Sequence, residues 1–96
     1  MNIIDLKINK LKEIFVNQKW RVLEVEITGA VSAYFILQKP KYRYLEAECS
    51  LQFCDILTEK SIIIDIVTAK EIEINEDINL YEISLYNGQE IKLKMY

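Results

Sequence analysis

The residues that could do chemistry fall into three sets, and the first is cationic. Lys19-Trp20-Arg21 and Lys39-Pro40-Lys41-Tyr42-Arg43-Tyr44 interleave basic side chains with aromatic rings. Cations contact phosphates and aromatic faces stack on bases, so the pattern suits single-stranded nucleic acid. Aromatic anchors beside arginine equally describe the hot spots of protein interfaces. A third reading needs no ligand: a solvated hairpin tip whose tyrosines cap the edge of the core. Trp20, Arg21, Lys39, Lys41, Tyr42, Arg43 and Tyr44 are the candidate binding residues on the first two readings.

The second set is carboxylate. Asp65, inside an apolar strand and followed by Glu71 and Glu73, has the acids of a nuclease site. The lysine such a site needs is missing, since the chain there reads EIEIN. Glu24, Tyr34 and Glu46 would form one row across three paired strands, and Glu26, Ser32 and Glu48 the next. Neighbouring strands lie ~4.8 Å apart, so the backbones bearing each Glu pair would stand ~9.6 Å apart, which suits a solvated acidic face better than a proton-sharing dyad. The third set is Cys49 and Cys54. Their spacing fits neither a zinc knuckle nor a redox pair, and the chain has no histidine to complete a metal site. They read as small buried hydrophobes on opposite faces of a strand. Without histidine the usual His-dependent routes of acid–base and nucleophilic catalysis are closed. The two glycines, Gly29 and Gly88, serve turns rather than a phosphate loop. The expectation is a protein that is not an enzyme and carries no cofactor or metal.

Composition narrows the class further. The chain has 96 residues, 51% of them apolar, with two glycines and one proline, which excludes disorder and low complexity and allows one modest core. Net charge is −3, unevenly spread: residues 1–44 carry eight cations against four acids, residues 45–96 four against eleven. An acidic chain does not bind nucleic acid or anionic membrane with its whole surface, so only a local patch could take an anion. No apolar run spans a bilayer, and the lysine-studded start lacks the apolar stretch of a signal peptide. The expected location is the cytoplasm. Ile, Lys, Asn and Tyr number 38 against nine for Gly, Ala, Arg and Pro, the skew of an AT-rich genome such as that of a low-GC bacterium or its phage.

The elements that must position these side chains follow from periodicity. Residues 2–18 read as an amphipathic helix capped by Asn2, with Asp5 in its first turn and a stripe of Ile4, Ile8, Leu11 and Phe15 flanked by Ile3 and Ile14. Leu6 and Val16 fall off the stripe. From residue 20 the period changes to 2, with strands at 21–27, 31–38, 42–53, 61–68, a short one around Ile72 and Ile74, and a closing hairpin of 80–86 with 89–95. Facing residues share a face, which tests registers. Loops at 28–30 and 39–41 pair Val25 with Ala33 and Phe35 with Leu45, and gather Arg21 and Arg43 beside the Lys39–Lys41 tip. A loop of Tyr86-Asn87-Gly88, with Gly88 at positive φ, pairs Ile83 with Ile91 and Tyr81 with Leu93.

Strands apolar on both faces need cover on both, and one helix covers part of one. The sheet must therefore curl into a small barrel or pair with another subunit. The predicted fold is α+β: a single domain, 1–96, with an N-terminal amphipathic helix packed on a curved, mainly antiparallel sheet of six to seven strands (residues 20–96), small-barrel-like. The expected function is a non-enzymatic interaction module, such as a small inhibitor, adaptor or assembly subunit acting by protein–protein contact. Self-association through a strand edge, centred on the Ile62–Ile66 stretch, is a further expectation. The alternative is a single-stranded nucleic-acid binder using the basic aromatic end, without a membrane partner.

Overall fold

The computed structural model describes residues 2–17 and 21–96. Helix α1 (Ile3–Asn17) begins where its first donors find partners: Asn2 Oδ1 accepts the Asp5 N–H at 2.9 Å and the Asn2 carbonyl accepts the Leu6 N–H. The Asp5 charge lies in the first turn, at the positive end of the helix dipole. The stripe expected from the spacing is the buried one. Leu11, Ile14 and Phe15 enter the core and Ile4 and Ile8 pack on it, while Leu6 and Val16 face solvent; Ile3, expected on the stripe's flank, is exposed as well.

Eight strands follow: β1 (Val22–Thr28), β2 (Ala33–Gln38), β3 (Pro40–Leu45), β4 (Ser50–Asp55), β5 (Ser61–Asp65), β6 (Ala69–Asn75), β7 (Leu80–Leu85) and β8 (Glu90–Met95). They form two antiparallel sheets, one in the order β2-β1-β8-β7-β6 and one in the order β3-β4-β5. The fold is thus α+β, one helix on antiparallel sheets that share a core, and the barrel does not close. The closing hairpin has the expected register, Ile83 opposite Ile91 and Tyr81 opposite Leu93, with Gly88 at φ +91 in its turn.

The structure differs from the expected sheet in one register, one pairing and one strand. β1 and β2 pair Val25 with Phe35 and Leu23 with Leu37, two residues along from the expected match. A slip of two keeps every side chain on its face, so sharing a face cannot detect it. The loop is longer as a result, and Gly29 lies against Gln89, where a Cβ would come within 3.2 Å of its side chain. Next, β2 does not pair with β3: at Lys39, whose φ is +50, the chain leaves the first sheet and starts the second. Finally, residues 42–53 are a hairpin rather than one strand. The helix-favouring Glu46–Glu48 forms a 3-10 turn, Cys49 takes a left-handed conformation, and β4 returns along β3 with Tyr42 opposite Phe53 and Tyr44 opposite Leu51.

The core centres on Phe15, which is 2% exposed. Its ring stands 5.4 Å from each of Tyr42 of β3, Phe53 of β4 and Tyr81 of β7, edge-on to all three. Phe15→Ala should lower unfolding free energy by about 3–5 kcal/mol, the usual cost of emptying a buried phenylalanine site. Denaturant unfolding with an unchanged midpoint would show that the helix is not docked on the two sheets.

Candidate interaction surface

The seven residues singled out by the cation–aromatic pattern do not share one face. Trp20 lies outside the described residues. Arg21 and Lys39 are joined through the main chain, the Lys39 N–H donating to the Arg21 carbonyl at 2.8 Å, and both side chains are exposed. Lys41 and Arg43 project from the outer face of β3, opposite Cys54 and Gln52. None of these four cations forms an ion pair with a described residue. The expected row of Arg21, Leu37 and Arg43 does not exist, because Leu37 pairs with Leu23 in the other sheet.

Tyr42 and Tyr44 alternate with the cations and so point inward. Tyr42 packs on Phe15 and, at 5.6 Å, on Phe53, and its hydroxyl is buried. Tyr44 lies under Lys12, whose Nζ is 4.2 Å from the ring centroid and also bonds Glu46 at 3.0 Å. These rings hold α1 in place, Tyr42 through Phe15 and Tyr44 through Lys12 over its ring. Two large amphipathic rings bury more area than Leu45 and Arg43 could, which sets the parity of β3.

The carboxylates resolve into ordinary structural roles. The expected rows are broken: Glu46 and Glu48 lie in the 3-10 turn, and Tyr34 donates to Glu24 at 2.6 Å. That bond, with a second from Tyr96, holds the Glu24 carboxyl below its usual range and pushes the Tyr34 phenol up to about 12. Glu24 faces Lys94 and Glu26 faces Lys92 across β8. Asp65 caps a turn by accepting the Val67 N–H at 3.0 Å. Among the described residues no group of His, Cys, Asp and Glu could hold a metal ion. Cys49 and Cys54 are free and half-buried.

Asp55, outside all three sets of candidate residues, is a buried carboxylate with a structural role. It accepts N–H groups from Gln38 at 3.2 Å, Leu57 at 2.8 Å and Thr58 at 3.3 Å, tying the second sheet to the end of β2. Those bonds, Gln38's first, hold its carboxyl below the usual value. An Asp ending an alternating strand before a Thr-Glu-Lys stretch is an Asx-turn signal.

Exposed apolar side chains occur at several places, among them Leu6 and Val16 on α1, Ile56 and Leu57 after β4, and Val67, and three consecutive ones lie on β2. As the first sheet's edge strand it shows Tyr34 and Ile36, each 54% exposed, and Phe35, 39% exposed, with Val31 also in solvent. A groove of about 370 Å³ separates residues 34–37 of β2 from residues 60–62 at the start of β5, the edge of the second sheet. The expected sticky stretch of β5 is mostly covered: Ile64 and Ile66 are buried and Ile62 is half-buried, leaving Ile63 exposed. No known protein family, curated protein or solved structure matches this chain.

The orientation of the tyrosines has a pH signature. Burial raises the phenol pKa of Tyr42 and Tyr81 above 10 and pushes Tyr44 up to about 12. The folded state therefore holds these protons more tightly than the unfolded chain, where a tyrosine ionises near 10. Their contribution to stability is full below pH 10 and is lost as pH rises above it. Absorbance titration should show these phenols ionising together with unfolding on the alkaline side. Ionisation of Tyr42 and Tyr44 near pH 10 with the fold intact would put both rings on the surface.

Proposed function

We propose that this chain is a non-enzymatic interaction module of the cytoplasm that works by protein–protein contact, as a small inhibitor, adaptor or assembly subunit. One observation carries the reading: the uncovered edge of β2, where Tyr34, Phe35 and Ile36 stand in solvent beside an open groove. Soluble proteins blunt their sheet edges with charge, proline or cover, and this edge has none of these between residues 31 and 37. A strand from a partner would find main-chain donors and acceptors for affinity and apolar side chains on both faces for specificity.

A second reading rests on the four outward cations at the corner where β2 passes into β3. Arg21, Lys39, Lys41 and Arg43 would attract an anionic partner such as single-stranded nucleic acid, and the acidic remainder of the molecule would steer it there. The inward turn of Tyr42 and Tyr44 leaves this patch without their stacking faces, which weakens the nucleic-acid reading relative to the first.

Capture of cellular proteins on the tagged chain separates the two. Tyr34→Lys with Ile36→Lys should abolish capture while leaving the melting temperature close to that of the parent, because neither side chain is in the core. Lys39→Ser, Lys41→Ser and Arg43→Ser together should leave capture intact. The opposite pattern, with salt-sensitive oligonucleotide binding lost only in the cation variant, would overturn the proposal in favour of the second reading.

A further inference from the structure

We propose that the occupant of the β2 edge is a second copy of this chain, paired antiparallel about a two-fold axis at Phe35 so that two five-stranded sheets become one. The inference rests on the protein-contact reading above and specifies its partner.

The main chain decides which groups are on offer. Because the Lys39 N–H bonds the Arg21 carbonyl, alternation along β2 aims the main-chain groups of residues 33, 35 and 37 at β1 and those of 34, 36 and 38 away from it. Gln38 fits this parity, since its N–H goes to Asp55. The free edge is therefore Tyr34 and Ile36. Two antiparallel copies can bond only through residues of this set. Setting Tyr34 opposite Ile36 of the copy uses both residues of both chains, each pair exchanging two N–H···O bonds. Moving the axis to residue 36 would engage Gln38, whose N–H is taken, and moving it to residue 34 would engage Ser32, which lies outside the strand.

The side chains agree with that register. Phe35 meets its own copy on the axis, in the close non-hydrogen-bonded site where aromatic pairs are favourable. This explains why an inner-face residue is left 39% exposed in the single chain. Ala33 faces Leu37 of the copy, small against large, and Tyr34 faces Ile36, aromatic against β-branched. Charge is compatible as well. Residues 31–38 (VSAYFILQ) carry none in a chain that is 28% charged. The cationic corner of each copy, Arg21 and Lys39, falls beside the other's uncharged loop at 29–32, so no like charges meet. A short edge contact is at the small end of specific interfaces, so association is expected at micromolar to sub-millimolar concentration.

Sedimentation equilibrium of the whole chain over that range should show a species of twice the 11.4 kDa chain mass, lost in Tyr34→Lys with Ile36→Lys. The register is read by cross-linking. The paired Cα atoms at a non-hydrogen-bonded site lie about 4.5 Å apart, within the about 4.4–6.8 Å that a disulfide accepts. With Cys49 and Cys54 replaced by Ser, Phe35→Cys should cross-link to itself on mild oxidation, and Tyr34→Cys or Ile36→Cys alone should do so at least tenfold more slowly. A mass of 11.4 kDa throughout, or a dimer that resists the β2 substitutions, overturns the proposal. Equal cross-linking at 34, 35 and 36 also overturns it. If the chain is monomeric while capture still depends on Tyr34 and Ile36, the edge takes a foreign strand and the protein-contact reading survives; if capture ignores β2 too, both fail.

Discussion

Phe15 is the contact on which the rest of the structure depends. It meets Tyr42 and Phe53 from one sheet and Tyr81 from the other, so the helix is held by both layers and holds them together. The underlying constraint is one of supply. Two sheets that share a core have two open sides, and the described residues hold one α-helix. It lies against β6 and β3, which are edge strands of their respective sheets, and so closes that side. β2 and β5 are the remaining edges, and Asp55 bridges toward β2 by accepting the Gln38 N–H. The apolar groove between them follows from where the helix went.

The same docking sorts the surface chemistry. Alternation along β3 turns Tyr42 and Tyr44 toward α1 and leaves Lys41 and Arg43 outside. Aromatics and cations that interleave in the chain are thereby separated onto opposite faces, and the protein shows an electrostatic corner and an apolar edge as distinct surfaces. On the outer face of the larger sheet, Glu24 and Glu26 stand opposite Lys94 and Lys92, which makes that face a mixed-charge, solvated one. The uncharged stretch of β2 at its margin is the exception.

What was legible in the sequence was whatever depends on period and parity alone. The Asn2 cap, the Leu11–Phe15 stripe and the Ile83–Ile91 register all come from local spacing, and all stand in the structure. What was illegible depends on choices parity does not see. A two-residue slip between β1 and β2 preserves the face of every side chain, and a strand that crosses to a second sheet still offers an apolar face to the same core. A pairing of Phe35 with Leu45 would put β2 in the interior of one sheet, whereas in the structure it is an edge. The alternating run Leu45 to Phe53 concealed a turn because Glu46-Ala47-Glu48 suits a helical turn as well as it suits alternation.

The molecule is closed on the helix side and open along β2, and amide hydrogen exchange resolved to single residues reads that difference. In dilute solution the amides of Phe35 and Leu37, bonded to β1, should be strongly protected, and those of Tyr34 and Ile36, which alternate with them, should exchange at rates near those of an unstructured chain. That alternation is the signature of a free edge strand. Equal protection of all four amides at every concentration would mean that β2 is paired within its own chain and is not an open edge.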